Sequence, residues 1–245
     1  MIDPYEAAAQ AIQQSANVIA VTGAGASTES GIADFRSPGG IWERYPAHEY
    51  ATLDAFLDDP DKVWTLWYEL GEALREAKPN AGHYALAKLE ELGHLKAVIT
   101  QNIDNLHFEA GNTAVIEYHG NADRLMCPAC HRRRDMDFAH RALGAPRCEC
   151  GGYMKPDVVL FGELIPPQAL LNSQTLAQTC AVLIIVGTSA QVYPAASLPF
   201  TAKQHGAFIV ECNLQETDFT HSITDAFLQG PAGETLPKLV ERVTA

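Results

Sequence analysis

Four cysteines form the sharpest chemical pattern in the chain. Cys127-Pro-Ala-Cys130 is followed after 17 residues by Cys148-Glu-Cys150 and then Gly151-Gly152. Paired thiolates at this separation read as a zinc ribbon. The first pair has the usual two intervening residues. The second has one, and the two glycines after it give the backbone freedom to close the ring. Four thiolates around zinc leave no position for water, so Cys127, Cys130, Cys148 and Cys150 point to structural Zn2+ with no part in a reaction. The other readings are two disulfides or four free thiols. His131 stands beside a ligand cysteine and is a further ligand candidate. Cys180 and Cys212 flank apolar runs and read as buried, inert thiols.

A second candidate lies near the N-terminus. The apolar run 18–21 reaches Thr22 and then Gly23-Ala24-Gly25-Ala26-Ser27. Glycines directly after a buried strand allow a tight turn and close approach to a ligand, and the amides beyond it favour phosphate oxygens. The same pair also fits an ordinary strand-to-helix turn, since Thr28 occupies the third glycine position of the dinucleotide fingerprint. Asp34-Phe35-Arg36 then sets a carboxylate, a ring and a guanidinium side by side, a grouping suited to a site lining. Two more strand ends carry polar groups. The run 97–100 feeds Gln101-Asn102-Ile103-Asp104, and 115–118 ends at His119-Gly120. Strand carboxyl ends are where open α/β sheets bind ligands. Asn and Asp also serve as helix caps, so Gln101–Asp104 fits a plain helix start as well. His119 is placed for proton transfer, whereas His94, His140, His205 and His221 read as surface or structural.

The elements that must position these groups alternate between strand and helix. Helices are expected over 4–16, 81–92, 166–178, up to about 204, and 235–243, with buried strands over 18–21 and 181–186, short strands over 97–100 and 115–118, and a strand over 207–210. The stretch 41–77 reads as mostly helical, an insertion between strands. Its Trp64 and Trp67 are candidates for a channel lining, with at least one of them core. This pattern predicts an α/β fold, a Rossmann-like parallel sheet with helices on both faces, plus a smaller zinc-ribbon and helical module. The corresponding division assigns 1–36, 78–120 and 156–245 to the nucleotide-binding domain, and 37–77 and 121–155 to the small one.

The 245 residues are 47% hydrophobic, enough for a large core and a subdomain, and the net charge is −13. That charge argues against nucleic acid or an anionic membrane as partner and suits attraction of a cationic peptide. The basic run His131–Arg134 reads as a solvated face. MIDPYEAAAQ has no basic region followed by an apolar core, and no apolar run approaches the ~20 residues of a spanning helix. A cytoplasmic enzyme is expected.

Taken in order, GAGAS at 23–27, GIADFR at 31–36, QNID at 101–104, HG at 119–120, the four cysteines, FGE at 161–163, GTS at 187–189 and VYPA at 192–195 resemble the sirtuins, NAD-dependent protein-lysine deacylases. Two departures stand out: Ala33 for the usual proline, and the short second cysteine pair. The resemblance implies that Gly23, Ala24, Thr28, Phe35 and Arg36 hold the diphosphate and cover the nicotinamide end. It assigns Gln101, Asn102, Ile103 and Asp104 to the nicotinamide–ribose pocket, with Asn102 and Asp104 also in the catalytic set. Thr188, Ser189, Asn213 and Leu214 would hold the adenosine half. Val159 and Phe161 would pair with the acyl-lysine substrate as an added strand. In this family the acyl oxygen attacks the nicotinamide ribose as nicotinamide leaves. His119, the general base, then takes a proton from a ribose hydroxyl, which attacks the acyl carbon and yields O-acyl-ADP-ribose. Sirtuins that prefer acidic acyl groups carry Tyr-x-x-Arg in the helical insertion. In the corresponding region here Trp67 is followed three positions on by Leu70, and Tyr68 by Gly71; neither frame supplies the pair, which implies acetyl or another uncharged acyl group. Rival readings are a protein ADP-ribosyltransferase on the same scaffold and a noncatalytic NAD-sensing adaptor.

Overall fold

A computed structural model describes residues 3–34, 40–136 and 144–245. Phe35 and Arg36 of the site set, and His140, lie outside the described residues. The centre of the fold is a six-stranded sheet. Its strands are β1 (Val18–Thr22), β2 (Leu95–Thr100), β3 (Val115–Glu117), β7 (Val182–Val186), β8 (Phe208–Asn213) and β9 (Ala226–Gln229), in the order β3-β2-β1-β7-β8-β9. Every neighbouring pair is parallel. A parallel sheet needs helical crossovers that cover both faces, so its central strands must be apolar throughout. All residues of β1 and β7 are buried, and all but Thr22 are apolar.

Alternate residues of each strand feed two separate cores. Val18, Ala20, Ile184 and Val210 pack with Ile12, Leu86, Leu236 and Leu239 from the helices Pro4–Gln13, Ala81–Glu91 and Ala232–Thr244. Ile19, Val21, Leu183, Ile185 and Ile209 face the other way, onto Ala177, Leu198, Ala202 and Phe219 from Pro167–Thr179, Ser197–Gln204 and Asp218–Ser222. Burial of Cys180 and Cys212 pushes their thiols up to about 11 and about 12, the inert state expected for both.

The second module contains a three-stranded antiparallel sheet. It is formed by β4 (Gly120–Met126), β5 (Arg133–Asp135) and β6 (Lys155–Val158) in the order β5-β4-β6. The insertion forms four helices, Ile41–Arg44, Ala47–Tyr50, Leu53–Asp58 and Pro60–Glu76. The last starts on Pro60 with the Asp59 carboxylate accepting the Lys62 N–H at 3.0 Å. Insertion and ribbon share one core, in which Phe56, Val63 and Trp64 meet Leu125, Cys127 and Met154. Trp64 is fully buried and donates its indole N–H to the Met154 carbonyl. Arg132, Arg133 and Arg134 are exposed, and two of them find acids: Arg132 pairs with Glu149 and Arg133 with Asp157.

Candidate functional site

The neighbours of β1 lie on opposite sides in chain order, β2 on one side and β7 on the other, so crossovers leave in both directions. Such a switch point opens a crevice at the strand carboxyl ends. Here it widens into a cleft of about 1050 Å³. Gly23, Ala24 and Thr28 enter it from the loop after β1, Gln101, Asn102 and Ile103 from the loop after β2, and His119 from the turn after β3. Thr188 and Ser189 follow β7, Asn213 ends β8 and Leu214 follows it, while Val159, Phe161 and Trp67 close the side toward the small module. His221, expected to be structural or superficial, is exposed and also lines the cleft.

The loop glycines serve a purpose beyond ligand approach. Gly23 and Gly25 donate their amides to the carbonyls of Val186 and Gly187, at 3.0 and 2.9 Å. A Cβ on Gly25 would lie 2.8 Å from Gly187 Cα, and one on Gly187, at φ +58°, would lie 2.4 Å from Ala26 N. Two loops on adjacent strands therefore pack backbone to backbone, which no side chain would permit. The chain then continues as two short 3-10 turns, Ala24–Ala26 and Thr28–Ser30. The Thr28 hydroxyl caps the first by donating to the Gly25 carbonyl at 3.1 Å.

His119 has a defined tautomer. Its Nδ1 lies 3.0 Å from the Gln101 carbonyl oxygen, which can only accept, so Nδ1 carries the proton and Nε2 keeps its lone pair. Burial holds the imidazole below its ordinary range, partly opposed by that hydrogen bond. The result is a neutral base in the cleft at pH 7. Gln101 also donates to the Thr188 hydroxyl at 3.1 Å, which ties the β2 and β7 loops together.

Asp104 sits behind the cleft lining. It is 8% exposed and accepts the Ser27 hydroxyl at 2.6 Å and the Leu106 N–H at 3.1 Å. Asn102 donates to the same Ser27 oxygen at 2.9 Å. His83 completes this layer. Its Nδ1 accepts the Asn80 N–H at 3.3 Å, so Nε2 bears the proton and faces Ser27 Oγ at 3.4 Å. The His83 ring lies 4.8 Å from that of His107, whose Nε2 reaches the Thr22 hydroxyl at 3.0 Å. Burial, reinforced by His83, pushes His107 down to about 3. His83 and His107 belong to no motif that the sequence displays, and Ser27 appears there only as the last residue of GAGAS, with no role of its own. The available signal was His83 three residues after Asn80, the return position of a capping box.

Phe161 uses its main chain within the protein. Its N–H donates to Ala51 and its carbonyl accepts from Leu53, while the Val159 N–H donates to His119 O. Both residues line the cleft, but these three backbone groups are already paired.

The cysteine cluster lies away from the cleft lining. Its four sulfurs fall within 4.8 Å of one another, with Cys127–Cys150 and Cys130–Cys148 at 3.6 Å. Zn–S bonds of about 2.3 Å in a tetrahedron set sulfurs about 3.8 Å apart, so the set fits zinc. The short second pair closes because Gly151 turns at φ +89° and Gly152 lies against the sulfurs, where a Cβ would come within 3.3 Å of Cys127 Sγ. His131 is not part of the cluster.

The profile of the Sir2 family matches residues 23–194. An NAD-dependent protein deacylase of Pyrococcus furiosus is 46% identical over 238 residues, covering 95% of each chain. The chain belongs to the Sir2 family. Another Sir2-type relative, NAD-dependent protein deacylase 2 of Pyrobaculum aerophilum, is 46% identical over 96% of this chain and 94% of its own. Among solved structures, a Sir2 homologue–NAD complex superposes with a TM-score of 0.93 at 42% identity, over 100% of this chain and 94% of that one. Sir2Af2 bound to a myristoylated histone peptide gives 0.81 at 38% identity, over 100% and 98%. The Sir2 fold thus accounts for the parallel sheet, the small antiparallel sheet and the four-cysteine cluster together.

Proposed function

We propose that this Sir2 protein is an NAD-dependent protein-lysine deacylase that transfers the acyl group to ADP-ribose and releases nicotinamide. The observation that carries this reading is the neutral His119, with Nε2 free, in the same cleft as the Gly23–Gly25 loop and the β7 and β8 termini. NAD, when bound, supplies the ribose hydroxyl that accepts the acyl group. His119 takes the proton from that hydroxyl at Nε2, and the Gln101 carbonyl, hydrogen-bonded to Nδ1–H, holds the ring in the required tautomer. Gln101, Asn102 and Ile103 line the nicotinamide–ribose pocket. Asp104 acts on it through Ser27 and Asn102. Gly23, Ala24 and Thr28, with Phe35 and Arg36, serve the diphosphate and nicotinamide cover, and Thr188, Ser189, Asn213 and Leu214 the adenosine half.

The acyl-lysine enters past Val159, Phe161 and Trp67. A strand added here would use main-chain groups other than the Phe161 pair and the Val159 N–H, with the half-exposed Phe161 ring against the peptide. Trp67 and Leu70, in place of a tyrosine–arginine pair, favour an uncharged acyl group, and the myristoylated peptide held by Sir2Af2 is of that class. Limited water access is required because a sugar cation would react with water.

The two-domain division given above frames this cleft. Among the described residues, no helix is long and apolar enough to cross a membrane. A cytoplasmic location completes the proposal. Incubation with NAD and acetyl-lysine peptide, followed by mass spectrometry, tests it. Deacetylated peptide together with O-acetyl-ADP-ribose is expected. ADP-ribose attached to protein with the acetyl group retained would favour the transferase instead.

A further inference from the structure

Glu211, in the middle of β8, is completely buried, and no Lys or Arg pairs with it among the described residues. Four donors fill its carboxyl oxygens instead. Oε1 accepts from Asn213 Nδ2 at 3.0 Å and the Thr217 hydroxyl at 2.6 Å, and Oε2 from the hydroxyls of Thr220 and Thr224, each at 2.7 Å. All four donors come from residues 213–224. That segment runs from the end of β8 along the lip of the cleft, through Leu214 and Thr217, and back into the fold by the short helix Asp218–Ser222. One buried carboxyl thus gathers an entire lip.

The contact with Asn213 has a chemical consequence. Its Nδ2 also donates to the Thr188 carbonyl at 3.3 Å. Both neighbours of that atom are acceptors, so it must be the NH2 end, and both of its hydrogens are used. The amide cannot flip without setting oxygen against oxygen. What remains open on this cleft-lining side chain is Oδ1, an acceptor that selects a ligand group able to donate.

We propose that Glu211 is a positioning residue for the adenosine half of the bound dinucleotide, fixing the Asn213 amide with its oxygen available and pinning the 214–224 lip. This rests on the NAD site proposed above. Glu211 touches no substrate; it acts through Asn213. A carboxyl is needed because it alone offers two acceptor oxygens to four donors at one buried point.

The experiment compares Glu211→Leu, which removes both oxygens, with Glu211→Gln, which keeps one for Asn213 and Thr217. Calorimetry with ADP-ribose reads the binding site directly, and KM for NAD against kcat reads it in turnover. Glu211→Leu is expected to weaken ADP-ribose about tenfold, about 1.4 kcal/mol. KM for NAD rises by about the same factor, and kcat changes far less. Glu211→Gln restores most of the affinity. Val243→Ala, a core truncation on the closing helix, controls for stability and should lower Tm without moving the ADP-ribose affinity. If Glu211→Leu does not fold, Glu211→Ala, with space for water to reach the donors, takes its place. Unchanged affinity in the Glu211 variant despite a lower Tm would overturn the inference. So would an equal loss in Val243→Ala. Wild-type protein that binds no ADP-ribose would overturn the NAD site itself.

Discussion

Lys155→Met should destabilise the protein and loosen the turn that borders the substrate side of the cleft. Lys155 is 1% exposed. Its Nζ donates to the carbonyls of Val158 and Pro156, at 2.6 and 3.3 Å, and lies 3.0 Å from Glu163 Oε2. The same Glu163 oxygen accepts the Leu160 N–H at 2.8 Å. These bonds tie the end of β6 to residues 159–163, which line the cleft. Met fills similar space but leaves Glu163 without its cation. Breaking a buried ion pair costs about 3–5 kcal/mol. Solvent reaches Glu163 in part, its side chain being 16% exposed, so the lower end, about 3 kcal/mol, applies. For a chain of this size each kcal/mol moves Tm by about 2–4 °C, which gives a fall of roughly 6–12 °C. Thermal unfolding of the zinc-loaded protein measures it. Adding Glu163→Gln removes the stranded charge and keeps an acceptor for Leu160, so the double variant should be more stable than Lys155→Met alone. A Tm within about 1 °C of wild type, or simple additivity of the two losses, would refute the reasoning.

Acetyl-lysine peptide should be turned over with higher kcat/KM than its succinyl counterpart, because Trp67 and Leu70 offer no cation to a carboxylate; the reverse order would contradict this. The pH profile of kcat/KM should have an acid limb below the ordinary histidine range. Burial lowers the His119 pKa, so the base is already deprotonated as pH rises past that limb, and activity stays level between about 7 and 8; a limb at or above pH 7 would remove His119 as the titrating base. Elemental analysis should find one zinc per chain, and chelation should lower Tm through the core that Cys127 and Cys148 share with the helical insertion. A Tm indifferent to chelation would deny the cluster its structural role.

The parts of the fold visible in the sequence are those set by local pattern. Val182–Val186 is apolar at every position, so a strand buried on both faces is the simplest reading, and the alternation into two cores follows from strand geometry. The cysteine spacing announced the cluster, and strand ends located the cleft. The small sheet was not legible, because β4 reads GNADRLM without clean alternation and β5 is Arg-Arg-Asp. The polar layer behind the cleft was hidden for another reason. Ser27, His83 and Asp104 meet only after three elements fold together, so neither GAGAS nor QNID discloses that Asp104 holds Ser27, and His83 belongs to no motif. The burial of Lys155 and Glu211 is equally non-local: charged residues read as exposed until their partners are known. The glycine loop was found by its pattern, while the second reason for its glycines, contact with Gly187, depends on the β1–β7 pairing.

The most direct test is a product analysis of His119→Ala beside wild type, with NAD and an acetyl-lysine peptide. Wild type should yield deacetylated peptide, nicotinamide and O-acetyl-ADP-ribose in equal amounts, and the variant should still bind ADP-ribose but give no deacetylated peptide. Full deacetylation by His119→Ala would contradict the assignment of the general base.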